Sequence, residues 1–189
     1  MSAGARATRL VLTDRDGVLN EDRPQGVRSP EELRLIEGSA EALARLNRAG
    51  IPVAVVTNQS ALGRGVLDEA GLTAIHRRLE TALAEAAGAR LDLILVAPDA
   101  PERAGPRRKP GPGMLLEALA RFQVGAEDAV MIGDDLRDLE AAAAAGCRRI
   151  LVRTGKGARL ADAGLPARLH PVELCRSFAD AVDRLLGTG

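Results

Sequence analysis

Leu10-Val11-Leu12 is a short apolar run that leads through Thr13 into Asp14-Arg15-Asp16-Gly17. An unbroken apolar run of this kind reads as a strand buried in a sheet. The glycine lets the chain turn before it can continue as strand. At strand spacing Asp14 and Asp16 point the same way. Two carboxylates held that close repel each other, and burying them unpaired is very costly. A hard divalent cation such as Mg2+ suits carboxylate oxygens and relieves the repulsion. One aspartate is then free to act as nucleophile while the other handles a proton. Taken alone, the same residues also describe a solvated turn after a strand, so the rest of the chain has to decide.

Along the chain, short apolar runs alternate with amphipathic ones. Glu21 to Glu37 is polar, with Pro24, Gly26 and Pro30, and reads as a loop or small flap. Ser39 to Ala49 places Ala42, Leu43, Leu46 and Ala49 at helical spacing, and Gly50 supplies the stop. Ile51 to Thr57 is a second buried strand, followed by Asn58-Gln59-Ser60 and a Gly-rich loop to Gly65. Asp68 to Ala87 is a long helix with Leu72, Ile75, Leu79, Leu83 and Ala86 along one stripe. Leu91 to Val96 is a third strand, and Pro98 to Pro112 a loop dense in Pro, Gly and Arg. Gly113 to Phe122 is helical, and Ala129 to Ile132 is a fourth strand ending at Gly133-Asp134-Asp135. Leu136 to Ala145 is an alanine-rich helix closed by Gly146, and Arg149 to Val152 a fifth strand. A short strand near Arg168 to His170 and a final helix over Ser177 to Leu186 complete the pattern.

This alternation predicts an α/β fold: a three-layer, doubly wound parallel sheet wrapped on both faces, in a single domain over residues 1–189. In such sheets ligands bind beyond the carboxyl ends of the strands, near the switch point in strand order. Asp14 and Asp16 follow the first strand, Thr57 and Asn58 the second, and Asp134 and Asp135 the fourth. Three strands therefore deliver small polar or acidic residues to one edge, and an active site is expected there. Neither the segment after the first strand nor that after the third is long enough for a separate cap domain. The site is expected to be open unless Glu21 to Glu37 or a partner chain covers it, which suits a substrate whose own bulk fills the opening.

Composition narrows the function. Lys and Arg number 26 against 26 Asp and Glu, so no basic footprint for nucleic acid or an anionic membrane is present. Phe122 and Phe178 are the only aromatics, which removes the stacking platforms of a single-strand binder. Cys147 and Cys175 form no CxxC pair and read as reduced packing residues of a cytoplasmic protein. Met1 to Thr8 carries no apolar signal core, and no window approaches a membrane span.

With these residues in view, the sequence resembles the haloacid dehalogenase (HAD) superfamily of aspartate-nucleophile phosphotransferases. The residues that carry the resemblance are Asp14-Arg15-Asp16-Gly17, Thr57-Asn58, Lys109-Pro110, and Gly133-Asp134-Asp135 with Asp138 following. Asp-Arg-Asp-Gly-x-x-Asn, Val-Thr-Asn-Gln-Ser and Arg-Lys-Pro-x-Pro-Gly-Met look like the small capless branch of that superfamily. That branch holds heptose-bisphosphate and histidinol-phosphate phosphatases, and Val152 to Gly157 is similar to the former.

The resemblance implies a Rossmann-like core and a Mg2+-dependent phosphatase working through an aspartyl-phosphate. The implied substrate is D-glycero-D-manno-heptose 1,7-bisphosphate, dephosphorylated at C7, with histidinol phosphate or another small-metabolite phosphate as the alternative. A catalytically silent binding module is the rival outside the enzymes. Asp14 is implied as nucleophile and Asp16 as proton donor and then base. Mg2+ is implied at the Asp14 side chain, the Asp16 carbonyl and the Asp134 side chain. Thr57 and the Asn58 amide are implied to hold phosphoryl oxygens, and Lys109 to neutralise them. Asp135 stands where the heptose enzymes often have lysine, and is either a second metal-side carboxylate or outer shell.

Arg64 and Arg108 match substrate-contact positions, and arginine's fork suits a second phosphate. Asn20, Gln59 and Ser60 are candidates for sugar hydroxyls. Many members of the branch bind a structural Zn2+ through Cys and His in the loop before the lysine. Here Ala97-Pro98-Asp99 and Gly105 to Lys109 carry none of those ligands, so no structural Zn2+ is expected. The expected partner is a sugar bisphosphate, with the chain a monomer or weak homo-oligomer. His76, beside Arg77 and Arg78, is expected at the surface, His170 is expected to be structural, and Gly155-Lys156-Gly157 is expected to form a turn near the active-site rim.

Overall fold

Residues 7–188 are described by a computed structural model, so most of the leading segment read above as lacking a signal core lies outside the described residues. The strands are β1 (Leu10–Thr13), β2 (Val53–Asn58), β3 (Leu93–Ala97), β4 (Ala129–Gly133), β5 (Arg148–Val152) and β6 (Glu173–Cys175). They form one sheet in the order β3-β2-β1-β4-β5-β6, and every neighbouring pair is parallel. The helices between them are α1 (Ser39–Arg48), α2 (Ser60–Gly63), α3 (Glu69–Ala87), α4 (Gly113–Phe122), α5 (Leu136–Ala145), α6 (Gly157–Ala163) and α7 (Phe178–Leu186).

The period of two along each strand divides the core into two layers. Val11, Val53, Val55, Val130 and Ile132 pack with Leu43 and Leu46 of α1, Ile75, Leu79 and Leu83 of α3, and Phe178 and Val182 of α7. Their neighbours Leu10, Leu12, Ala54, Val56, Ala129 and Met131 pack with Met114, Leu115 and Ala118 of α4 and Ala141 and Ala142 of α5. The near-continuous apolar strands of the sequence are thus buried on both faces, as a parallel sheet requires. No helix among the described residues is long and apolar enough to cross a membrane.

Local chemistry sets the boundaries. β2 begins at Val53 rather than Ile51, because Pro52 has no amide for the ladder, although its carbonyl accepts from Val11 at 3.0 Å. Asp68 lies outside α3 as its cap, its carboxylate accepting the Gly71 amide at 2.7 Å. Ser177 caps α7 in the same way, accepting the Asp180 amide at 3.3 Å.

One strand expectation is wrong. Residues 167–169 form a tight helical turn led by Pro166, and His170 follows it outside any strand. Leu169 is buried against Leu139 and Leu151 from that turn. The edge strand is β6, three residues after His170, paired to β5 with Leu151 opposite Leu174. One buried leucine in a short stretch between prolines satisfied the strand pattern without supplying a ladder.

The order of strands reverses between β1 and β4, which continue in opposite directions across the sheet. The crevice at their carboxyl ends is where α/β sheets take ligands. Residues 21–37 return over that end. Glu21 donates its amide to Arg34 at 2.9 Å, and Val27 and Leu33 enter the core, so this flap is anchored. Leu12 is fully buried on β1 between the two central partners of the sheet. Leu12→Ala is expected to lower unfolding stability by about 2–5 kcal/mol in urea titration. A loss under about 1 kcal/mol would mean that β1 is not the centre of the core.

Candidate active site

Two glycines let the crevice close around one carboxylate. Gly17 turns the chain with φ 82°, and a Cβ there would lie 2.2 Å from Asp134 Oδ2. Gly155 has φ 56°, and its Cβ would meet the same oxygen at 2.1 Å. No residue with a side chain fits either place. Asp134 lies at the end of β4 and Asp14 at the end of β1, where its amide donates to the Ile132 carbonyl at 3.0 Å. The sheet itself therefore brings the two acids together.

Asp14 Oδ1 accepts the Arg15 amide at 2.7 Å, and Lys109 Nζ stands 3.0 Å from Oδ2. Lys109 is also 2.6 Å from Asp138 Oδ1, so its ammonium pairs with both carboxylates. Burial opposes the lysine's charge, but Asp138 and Asp14 outweigh it and hold the ammonium above its usual range. Asp138 Oδ2 accepts the amides of Asp134 and Asp135 at 3.2 and 3.1 Å. Asp138 is thus the counter-ion of Lys109 and the clasp of the β4–α5 turn. The sequence pattern recorded it without a role.

Asn58 holds the lysine from the other side. Its side-chain amide donates to the Lys109 carbonyl at 2.9 Å and its carbonyl accepts the Lys109 amide at 3.0 Å. Thr57 is buried beside it, with Oγ1 accepting from Gln59 Nε2 at 2.9 Å. Gln59 Nε2 also donates to Asp16 Oδ2 at 2.9 Å, and Asn20 Nδ2 to Asp16 Oδ1 at 2.9 Å. Asn20 is fully buried and outside the lining of the cavity, so it serves Asp16 where a contact to sugar hydroxyls was expected. Gln59 reaches the cavity wall with its amide already engaged.

Asp16 is gripped as well by Arg15, whose Nη2 lies 3.0 and 2.8 Å from the two carboxylate oxygens and whose Nε lies 3.2 Å from Oδ1. Burial works against the charge on Asp16. Arg15 first, and then the Asn20 and Gln59 amides, more than offset it, and the carboxyl ionises below its ordinary range. Arg15 Nη1 in turn lies 3.1 Å from Nε2 of His76, on α3. His76 was expected at the surface; it is half-buried against this arginine. Burial and then the Arg15 charge push its ring down to about 4, so it is neutral near pH 7. A lone polar residue next to a helix's apolar stripe gives no sign in sequence of a partner 61 positions away.

The floor of the crevice is short of positive charge. Burial raises Asp14 to about 6 despite Lys109. Asp134 is raised to about 8 by burial first and then by Asp14 and Asp138; the Lys156 amide, 2.8 Å from Oδ2, only partly offsets this. Asp134 Oδ1 and the Asp16 carbonyl take no hydrogen bond from the described residues. Asp14, Asp134 and Asp138 present carboxylate oxygens within 4.8 Å of one another. Asp138 is already committed to Lys109 and two amides. Asp14 is engaged too, by Lys109 and the Arg15 amide, whereas Asp134 Oδ1 and the Asp16 carbonyl are open; carboxylate and carbonyl oxygens of this kind fit Mg2+. Asp135 caps α5, accepting the Arg137 amide at 3.1 Å and pairing with its guanidinium at 2.8 Å.

Around this floor lies a cavity of about 400 Å³, walled by residues 22–28 of the flap, by Ser60, Ala61 and Arg64, and by Arg108, Arg137 and Lys156. Arg64 is exposed and loosely paired with Glu102 at 3.7 Å, while Arg108 is buried and donates to the Asp99 carbonyl at 2.7 Å. In the loop that lacks the zinc ligands common in the branch, Arg107 pairs with Glu117 and donates to the Val96 carbonyl at 3.2 Å. Gly155-Lys156 does turn at the rim, with Lys156 Nζ 3.5 Å from Asp22 of the flap.

A part-buried aspartate at the carboxyl end of the central strand, a buried lysine against it and a second acid opposite define the class of HAD-like hydrolases. The HAD-hydrolase-like family model matches residues 106–181. A D-glycero-beta-D-manno-heptose-1,7-bisphosphate 7-phosphatase of Bordetella bronchiseptica is 42% identical over 179 residues, covering 94% of this chain and 98% of the relative. Its counterpart in Pseudomonas aeruginosa is 43% identical over 157 residues, covering 83% and 88%. The crystal structure of the B. bronchiseptica D,D-heptose 1,7-bisphosphate phosphatase, complexed with magnesium and phosphate, superposes with a TM-score of 0.90 at 40% identity, covering 96% of this chain and 100% of that one. The chain belongs to this family of heptose-bisphosphate phosphatases within the HAD-like hydrolases, and is a phosphoric monoester hydrolase.

Raised acids make a clear prediction. Asp134 ionises in the folded chain at about 8 against 3.8 when unfolded, so between those values the folded state holds the extra proton. Without metal, stability therefore falls as pH rises through that window. Asp134→Asn is expected to melt above the wild type at pH 8 in chelator, with the gap closing toward pH 4. Mg2+ is expected to raise the melting temperature of the wild type more at pH 8 than at pH 5, and not that of the variant. A full Mg2+ shift in Asp134→Asn would remove Asp134 from the metal site.

Proposed function

We propose that this protein removes the C7 phosphate of D-glycero-D-manno-heptose 1,7-bisphosphate, through an aspartyl-phosphate on Asp14. The observation that carries the reading is the juxtaposition of Asp14 with Lys109 at 3.0 Å, beneath a cavity rimmed by arginine. The family relatives support the choice of substrate.

In this mechanism Asp14 Oδ2 attacks phosphorus and the bond to the ester oxygen breaks. Oδ1 is held by the Arg15 amide, which fixes the attacking group's plane. Asp16, ionised in the free site, takes up a proton when the phosphate ester binds and gives it to the departing sugar oxygen. As a carboxylate it then takes one from the water that hydrolyses the acyl-phosphate. Lys109, the Thr57 hydroxyl and the Asn58 amide bear the phosphoryl oxygens' negative charge, and Asp138 and the Asn58 side chain hold the lysine. Bound at Asp14, Asp134 and the Asp16 carbonyl, Mg2+ supplies positive charge against the phosphoryl group and relieves the repulsion between the acids.

Arg64 and Arg108, with Ser60 in the same cavity lining, are proposed to meet the second phosphate and the sugar. The buried, reduced Cys147 and Cys175 and the small soluble metabolite support a cytoplasmic place for this reaction.

The test is a panel of phosphate esters with Mg2+ and with chelator. The heptose bisphosphate is expected to show the highest kcat/KM, and chelator to abolish turnover. A preference for histidinol phosphate would overturn the substrate. Asp14→Asn is expected to lose about four orders of magnitude or more in kcat with an unchanged melting curve. Turnover retained in that variant would overturn the nucleophile.

A further inference from the structure

The Arg15 side chain is fully buried, though it belongs to the catalytic loop and sits between the two working aspartates. A buried guanidinium is expensive unless its donors are matched. Here Nε and Nη2 go to Asp16, and Nη1 goes to His76 Nε2 at 3.1 Å. A guanidinium only donates, so Nε2 accepts and the ring's hydrogen is on Nδ1. Asn20 and Gln59 each touch one oxygen of Asp16, whereas the arginine fork touches both. The fork therefore sets the plane of the carboxylate, and the histidine sets the fork. His76 is itself fixed by its place on α3, next to Ile75 in the core.

We infer that His76 is a positioning residue for proton transfer: by accepting from Arg15 it holds the guanidinium that aims the Asp16 carboxylate at the leaving oxygen. The inference rests on the reading of Asp16 as the proton carrier. Without an acceptor at His76, Nη1 is unmatched, the guanidinium turns to find one, and the carboxylate is left to the single contacts from Asn20 and Gln59. The proton then reaches the leaving oxygen less often, while the Asp14–Lys109 attack geometry, which His76 does not touch, persists.

That difference has a readout that general loosening lacks. An alkyl leaving group such as a sugar oxygen needs the proton, whereas p-nitrophenolate departs largely without it. The experiment measures kcat/KM for a sugar phosphate and for p-nitrophenyl phosphate in wild type, Asp16→Asn, His76→Leu and His76→Gln. Asp16→Asn is expected to lose about 10²–10⁴-fold on the sugar phosphate and far less on the aryl ester. His76→Leu is expected to show the same split at about tenfold on the sugar phosphate and under about threefold on the aryl ester. His76→Gln, whose amide oxygen reaches as far and accepts, is expected to recover most of the loss.

Equal losses on both esters in His76→Leu, or no recovery with Gln, while Asp16→Asn splits them, would overturn the inference. No split in Asp16→Asn itself would instead overturn Asp16 as the proton carrier, and the inference with it. Arg15→Lys keeps the charge and removes the fork. If His76→Leu fails to fold, Arg15→Lys is expected to give the split in its place, and an even loss there would overturn the inference equally.

Discussion

Negative charge brought together and kept out of water is the constraint on which this site depends. β1 and β4 are adjacent parallel strands, and their carboxyl ends carry Asp14 and Asp134 into one crevice. Close by stands Asp138 from the first turn of α5. The chain itself answers with one buried ammonium, Lys109, which satisfies Asp14 and Asp138 and leaves Asp134 with a backbone amide. The residual imbalance is what a divalent cation resolves, and it leaves the crevice able to receive a phosphoryl group that is itself an anion.

Much of this arrangement could be read from the chain, because the fold translates position along a strand into position in space. An acid one residue past an apolar run is an acid at a sheet edge. That translation located Asp14, Thr57 and Asp134 on one edge without any contact being known. It is silent on side-chain partners. Asn58 was expected to use its backbone amide, yet its side chain brackets the Lys109 peptide. Asn20 looked like a sugar contact, and its amide instead faces Asp16. His76 looked like one more polar residue on a long helix, because the arginine it meets is remote in sequence and buried. The expected strand at residues 168–170 failed for a related reason. Leu169 is buried from a turn, and burial alone does not specify the ladder.

The loop leading to Lys109 shows a different solution to a common need. A lysine that must enter a buried site requires its supporting loop to stay put. Here Arg107 ties that loop to Glu117 of α4 and to the β3 carbonyl of Val96, and Arg108 ties it to Asp99. Gly111 and Gly113 pack against the Pro106 carbonyl so closely that added Cβ atoms would lie 2.5 and 2.6 Å from it. Side-chain hydrogen bonds and tight backbone contact thus do the fixing within the chain itself.

The flap has a consequence for how a substrate meets the site. Residues 22–28 wall the cavity, and Val27 among them, with Leu33, inserts into the core at 2% and 3% exposure. Lifting it would expose both, at a cost of about 3–6 kcal/mol, so a raised state is populated less than about once in a hundred molecules. The flap therefore meets the substrate as a standing wall of the cavity rather than as a moving lid.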